Sequence, residues 1–318
     1  MESNVLRSTR SGVLVDYIRI ARFDHWFKNL FVLPGTALAV VLGNVPVASV
    51  LWPTVLALLA TGFIASANYT INEWLDAESD AKHPLKKNRP GACGRLKTHW
   101  VLLQYGSFAA LGLSISLLLT RPFMVVAASL LVMGLLYNVR PFRTKDKAIL
   151  DVVSESVNNP IRLLLGWSAI ITTAVPPSSI LLAYWAGGAF LMSIKRYAEY
   201  RHIANPSLAA QYRDSFAWYT ERRLLLLSFF CALCSAFFLG IFLIKYRIEF
   251  LISFPFLALL FVWYFAIGMR PDSTAQRPEH LYKNRGFTAY VTFLVCLVAL
   301  LFWVDLPFLY VLMEEVQF

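Results

Sequence analysis

The sequence predicts an all-α, polytopic membrane bundle of about nine transmembrane helices with its N-terminus in the cytoplasm. Three observations predict it. Of 318 residues, 58% are hydrophobic and only 15% charged, at a mean hydropathy of +0.58, whereas a soluble domain carries about 25% charged residues. The apolar residues fall in long continuous runs without the period-two alternation of barrel strands. Lys and Arg gather in every second loop between those runs. A water-soluble enzyme is excluded, and 9 Trp and 24 Phe suit a bundle with aromatic rings at its interfaces.

The hydrocarbon core, roughly 30 Å thick, takes about 20 helical residues, with some allowance for tilt. Runs that meet this lie at 27–43, 50–71, 99–118, 122–137, 149–172, 179–195, 223–244, 249–268 and 287–304. Arg7, Arg10, Arg19, Arg22 and Lys28 stand at the start of the first span. Lys82, Lys86, Lys87, Arg89, Arg95 and Lys97 separate the second from the third. Arg140, Arg143, Lys145 and Lys147 follow the fourth, and Lys195, Arg196, Arg201, Arg213, Arg222 and Arg223 follow the sixth. Arg270, Arg277, Lys283 and Arg285 follow the eighth. The intervening loops hold only Arg121, Lys245 and Arg247. The positive-inside bias therefore puts the N-terminus and every basic loop in the cytoplasm, and the C-terminal Glu314 and Glu315 outside.

The net charge of +10 is thus explained by topology, and no nucleic-acid partner is expected. The first twenty residues hold no apolar core of signal-peptide length with a small-residue cleavage site, so no removed leader is expected. Cys93, Cys231, Cys234 and Cys296 do not form a disulfide framework. Cys231-x-x-Cys234 lies inside the seventh span with no second pair or His beside it, and helix packing accounts for it. A weak recurrence is visible, in that the second and fourth spans each run into a cytoplasmic loop with polar residues at the exit.

The chemistry concentrates at the exit of the second span, in Asn72-Glu73-Trp74-Leu75-Asp76-Ala77-Glu78-Ser79-Asp80. If the helix continues there, Asn72, Asp76 and Asp80 share one face at i, i+4, i+8. Like charges so spaced repel and call for a cation. Oxygen donors without His or Cys favour Mg²⁺, Mn²⁺ or Ca²⁺ over zinc. Mg²⁺ takes one or two carboxylates and completes its shell with water and phosphate oxygens, so the stripe suits a diphosphate. The plainer alternative is a solvated acidic helix end balanced by the basic loop behind it. That loop, His83-Pro84-Leu85-Lys86-Lys87-Asn88-Arg89-Pro90, offers cations for the far side of a bound diphosphate.

A second acidic stripe opens the fifth span. Asp151, Glu155, Asn158 and Arg162 fall at i, i+4, i+7, i+11 and run into the membrane, where charges are costly and line polar cavities. A structural Glu155–Arg162 salt bridge is the alternative, and Asn159-Pro160 predicts a kink. Lys195-Arg196-Tyr197-Ala198-Glu199 ends the sixth span and Trp26-Phe27-Lys28-Asn29 begins the first. Each alone reads as interfacial anchoring, but both sit on the same side of the bundle as the acids.

These motifs resemble those of the UbiA superfamily of intramembrane prenyltransferases, whose first motif, N-D-x-x-D-x-x-x-D, follows the second of nine helices. Asn72, Asp76 and Asp80 match it, with Glu73 in place of Asp; Asp151 and Glu155 match the second acidic motif. Trp26 to Asn29, His83 to Pro90, Lys195 to Glu199, and Pro278-Glu279 with Arg285 are most similar to the decaprenyl-phosphate phosphoribosyltransferase branch. The resemblance covers nearly the whole chain as one UbiA-like domain over 1–318. It implies Mg²⁺ held at Asn72, Glu73, Asp76 and Asp80, catalytic roles for Asp76, Asp80, Asp151 and Glu155, and substrate binding by Lys28, Asn29, Lys86, Arg89, Arg162, Lys195, Arg196 and Glu199. The partners implied are a polyprenyl lipid and a pyrophosphate-bearing small molecule, with homo-oligomerisation left open. Tyr137-Asn138-Val139-Arg140-Pro141 and Asn158-Asn159-Pro160 depart from the superfamily pattern. A conventional prenyltransferase, with aromatic side chains stabilising an allylic cation, is the nearest competitor. A transporter is the competitor from another class, but no pair of Gly- or Pro-interrupted helices in matching halves supports it.

Overall fold

Buried backbone groups with no water available must pair within their own segment, and the chain answers with helices. The computed structural model describes residues 12 and 14–311, apart from 84–85, 247, 272, 277–280, 282 and 302, and among these there is no strand. Arg7, Arg10, Pro84, Arg247, Arg277, Pro278-Glu279, Glu314 and Glu315 lie outside the described residues.

Among the described residues, six helical stretches are long and apolar enough to cross a membrane: Leu14–Gly43, Val47–Leu75, Thr98–Leu117, Arg121–Asn138, Glu221–Tyr246 and Ile248–Gly268. Arg285–Leu301 is a shorter apolar helix. The remaining two sequence-predicted spans are helical but are not among those six. The run at 149–172 forms two helices, Leu150–Ser156 and Asn158–Ser168, divided at Val157 ahead of the expected Pro160 kink. The run at 179–195 lies within Ser178–Ile203, whose last turns carry Lys195, Arg196, Glu199 and Arg201. The first span begins earlier than position 27, because residues 14–21 are helical and a 3-10 stretch, Phe23–Val32, joins them to the following helix. Arg22, with φ 50°, breaks the helix between the two.

The chain divides into two compact units, 1–176 with 203–219, and 177–202 with 220–318. In the first, α1 (Leu33–Gly43), α2 (Val47–Leu75), α3 (Ala77–Ala81), α4 (Thr98–Leu117), α5 (Arg121–Asn138), α6 (Leu150–Ser156) and α7 (Asn158–Ser168) surround a core of Val32, Ala57, Ala60, Ile64, Phe123, Ala127, Leu130, Ile161, Leu165 and Ala169. Lipid tails are as apolar as Leu, so helices in a membrane associate through small residues that let backbones approach. Ala60 and Ile64 of α2 meet Gly112 of α4, where an added Cβ would stand 2.6 Å from Ile64 and 3.0 Å from the Ala60 carbonyl. The closest approach is between α1 and α7. A Cβ at Gly35 would fall 1.9 Å from the Leu163 carbonyl oxygen, and one at Gly166 2.0 Å from that of Val32. Thr120 caps α5 by accepting from the Phe123 N–H at 3.1 Å, and donates to the Ser168 carbonyl at 2.6 Å.

In the second unit, α8 (Ser178–Ile203), α10 (Glu221–Tyr246), α11 (Phe254–Gly268) and α12 (Arg285–Leu301) pack by aromatic and small-residue contacts, α9 (Pro206–Tyr212) belonging to the first unit. Phe190 stacks on Phe261 at 4.7 Å, Gly268 meets Ile194, and Ser235 donates to the Ala183 carbonyl at 3.0 Å. Phe229, Leu233 and Phe237, one turn apart on α10, are exposed, as a lipid-facing stripe requires. All four cysteines are free, with Cys231 buried and Cys234 half-buried, in keeping with a packing role.

Candidate active site at the acid-bearing helix exit

The exit of α2 does not run on as one straight helix. Asp76 takes φ −94°, ψ 1° between α2 and α3. The turn holds because the Asp76 N–H donates to the Asn72 carbonyl at 3.0 Å and the Asp80 N–H to the Asp76 carbonyl at 2.7 Å. Asn72 Nδ2 donates to Asp76 Oδ2 at 3.2 Å and also to Asn138 Oδ1. Asn138 ends α5. The recurrence of polar exits on the second and fourth spans is therefore a physical contact.

Each acid of the first motif has its own cation. Lys145 Nζ donates to Asp76 Oδ1, and to Asn138 Oδ1 at 2.8 Å. Arg143 reaches the same Asp76 oxygen at 3.2 Å and Asp146 at 2.7 Å. Asp80 is buried and pairs with Arg89 at 2.7 Å. Glu73 leaves the stripe: its Oε2 accepts from Arg22 at 2.9 Å, and its Oε1 is buried without a partner. Gly91 folds back onto Glu73 so closely that a Cβ would lie 2.7 Å from the Glu73 carbonyl. Burial works against the charge on Asp76, yet Lys145, with Arg213 and Arg143 around it, holds the carboxyl below its ordinary value. Burial pushes the Lys145 ammonium down to about 8 against the pull of Asp76. Burial likewise works against Arg89, but the Asp80 carboxylate raises it above the usual value.

Among the described residues no three His, Cys, Asp or Glu side chains converge as a protein-only metal cage would require. The donor set still fits Mg²⁺. Asn72 and Asp76 touch, Asp80 follows one turn on, all donors are oxygen, and Mg²⁺ commonly needs only one or two carboxylates beside phosphate and water.

The substrate-binding candidates separate. Lys28 and Arg22 both lie over the Tyr69 ring, 5.8 and 5.7 Å from its centroid. Lys86 donates to the Tyr212 hydroxyl, and Tyr212 packs on His83 at 4.4 Å. Asn29 and Arg162 meet, Arg162 Nε donating to Asn29 Oδ1 at 3.4 Å. In the second unit, Arg196 and Glu199 are both buried and pair at 2.8 Å, with Lys195 half-buried beside them.

The second acidic stripe is not one straight face, since Val157 separates α6 from α7. Asp151 is fully buried; Tyr219 donates to its Oδ1 at 2.6 Å and Ser215 to its Oδ2 at 3.3 Å. Glu155 is half-buried, and no ion pair joins it to Arg162 among the described residues. Tyr219→Phe removes a hydroxyl that also accepts from the Ile149 N–H at 2.8 Å. It is expected to lower stability by about 2–3 kcal/mol, read as the thermal midpoint of purified protein.

Sequence reasoning assigned Arg143, Lys145 and Arg22 to topology alone, named Asn138 only within a segment that departs from the superfamily pattern, and passed over Tyr212, Ser215 and Tyr219. Their partners lie 51 to 126 residues away in the chain for Arg22–Glu73, Lys145–Asp76 and Lys86–Tyr212. The polar exit of the fourth span was the one available signal.

Residues 30–284 match the model of the UbiA prenyltransferase family. The decaprenyl-phosphate phosphoribosyltransferase of Mycobacterium tuberculosis is 31% identical over 227 residues, covering 70% of this chain and 71% of that protein. The protoheme IX farnesyltransferase of Shouchella clausii is 29% identical over 181 residues, 55% of this chain and 57% of that one. Another curated relative, 30% identical over 166 residues, is a longer protein of which the chain spans 31%. The fold is that of a UbiA homologue from Archaeoglobus fulgidus solved with DMAPP and Mg²⁺, at a TM-score of 0.67 and 19% identity over 91% of this chain and 100% of that one. With the family match running over most of its length, this all-helical chain belongs to the UbiA prenyltransferase family, a family of transferases.

Proposed function

We propose that this integral membrane protein transfers 5-phosphoribose from phosphoribosyl pyrophosphate to a polyprenyl phosphate, with its reacting groups on the cytoplasmic side. The observation that carries this reading is the 31% identity to the mycobacterial phosphoribosyltransferase over 71% of that protein's length. Prenyl transfer from a prenyl diphosphate is the second reading, favoured by the farnesyltransferase relative and by the DMAPP-bound structural neighbour.

In the first reading an oxygen of the lipid phosphate attacks the anomeric carbon, and the bond from that carbon to pyrophosphate breaks. Mg²⁺, when bound, neutralises charge on the departing pyrophosphate. Asp76 and Asp80 would hold it, with Asn72 orienting Asp76. Lys145 and Arg143 fix the Asp76 carboxylate from behind, and Lys86 and Arg89 offer cations to phosphate oxygens. Glu73 is assigned to anchoring Arg22. The remaining contribution is positioning, which is sufficient when the leaving group is already good.

Thermal unfolding in detergent tests the choice. Phosphoribosyl pyrophosphate with Mg²⁺ is expected to raise the midpoint, and EDTA to remove the rise. Stabilisation by geranylgeranyl diphosphate alone would replace this reading with prenyl transfer.

A further inference from the structure

Among the described residues, Arg162 is a buried cation without a counter-ion. It lies on α7 one turn before Gly166, where α7 and α1 approach backbone to backbone. That approach carries its guanidinium into the helices, where it keeps 8% of its surface exposed. Nε donates to Asn29 Oδ1 at 3.4 Å and Nη1 to the Asn158 carbonyl at 3.2 Å. Both acceptors are neutral, and among the described residues no carboxylate pairs with it. Glu155, the acid nearest to it along α6 and α7, makes no ion pair.

Asn29 supplies an independent observation at the same place. Its Oδ1 faces the Arg162 donor, which fixes the amide's orientation, and its Nδ2 is buried with no acceptor. The residue is 3% exposed. A buried guanidinium whose acceptors are all neutral thus adjoins a buried amide N–H with no acceptor, a setting in which an uncompensated charge and an unmet donor are both costly. A planar guanidinium beside an amide N–H matches a phosphate oxygen pair.

We infer that Arg162 and Asn29 form a second anion site, separate from the acid-bearing exit of α2, and that it receives the phosphate of the lipid substrate. The surroundings choose between the two phosphate bearers. Val32, Ile161 and Leu165, close in sequence to the pair, belong to the apolar core of the unit, whereas Asp76 and Asp80 are ringed by the loops that carry Lys145, Arg143 and Arg89. A hydrocarbon-tailed phosphate suits the first setting and a sugar pyrophosphate the second. This inference rests on the phosphoribosyl-transfer reading.

The test is ligand binding to the full chain in detergent, followed by thermal shift, with farnesyl phosphate, Mg²⁺–phosphoribosyl pyrophosphate, inorganic phosphate and geranylgeranyl diphosphate. Arg162→Met is expected to weaken farnesyl phosphate by about tenfold or more, the cost of a charged hydrogen-bonding group, and to leave the sugar pyrophosphate within about twofold. Its unliganded midpoint is expected to equal or exceed that of the native chain, because an uncompensated buried charge is removed. Asn29→Ala, which keeps the guanidinium, is expected to weaken farnesyl phosphate by a smaller factor. Unchanged farnesyl phosphate binding in both variants overturns the site. So does an Arg162→Met chain that is destabilised or does not fold, which would make Arg162 structural. Inorganic phosphate binding as tightly as farnesyl phosphate would overturn the lipid assignment. A native chain that binds geranylgeranyl diphosphate but neither farnesyl phosphate nor the sugar pyrophosphate would instead defeat the phosphoribosyl reading itself.

Discussion

Asp76→Asn is expected to reduce turnover by about 10²–10³-fold or more, the scale seen when one group that stabilises developing charge is removed. The side chain keeps its shape and loses the charge that Lys145 and Arg143 hold in place. The Asp76 carboxyl lies below its ordinary value, so the native residue is an anion at neutral pH, and an amide in its place offers Mg²⁺ an oxygen without the charge. The variant also leaves the Lys145 ammonium buried without its anion, so the thermal midpoint should fall as well. The measurement is turnover of purified protein against Mg²⁺ concentration. Native turnover in both Asp76→Asn and Asp80→Asn would remove the metal from this helix exit. Glu73→Gln provides the contrast: its ion pair is with Arg22, so it should cost stability while leaving the Mg²⁺ dependence in place.

Gly166→Leu is expected to have the largest effect on folding. Overpacking of a core typically costs about 1–3 kcal/mol because side chains can shift, but here even the first added carbon meets the Val32 carbonyl at 2.0 Å and the Thr36 nitrogen at 2.7 Å. Backbone cannot step aside without parting α1 from α7. A loss of more than about 3 kcal/mol, or no folded protein in detergent, is the expected outcome. Gly106 is the control, since a Cβ there meets nothing within 4 Å; Gly106→Ala should be neutral or slightly stabilising, by up to about 1 kcal/mol. Equal midpoints for Gly166→Leu and Gly106→Ala would show that the close crossing is not required.

Helix class, membrane insertion and the position of the acid-rich exit were legible in the sequence because each is a local property. Hydropathy over about 20 residues is a sum along the chain, and the crowding of Asp76, Glu78 and Asp80 is visible without any fold. The fifth span, at 149–172, shows where such a sum weakens. Arg162, and the acids around Asp151, are held inside helices whose neighbours supply hydrogen bonds, a property that hydropathy does not encode.

Which charge answers which was decided only by tertiary structure. Asp76, Asp80 and Glu73 sit within eight residues, yet they pair with Lys145, Arg89 and Arg22 respectively. The helix turn at Asp76 redirects the side chains, and the loops bring partners from as far as 69 residues away. Spacing alone drew Asn72, Asp76 and Asp80 onto one face, and drew Arg162 toward Glu155. The close crossing at Gly35 and Gly166 instead set Arg162 against Asn29, 133 residues apart. The sequence by itself determined the solvent, the secondary structure and the place where anions collect. The pairing of the acids depended on the turn at Asp76 and on loops that only the fold brings back to it, and the cation left without an anion on how closely two helix backbones could approach, which is a matter of missing side-chain volume at two glycines.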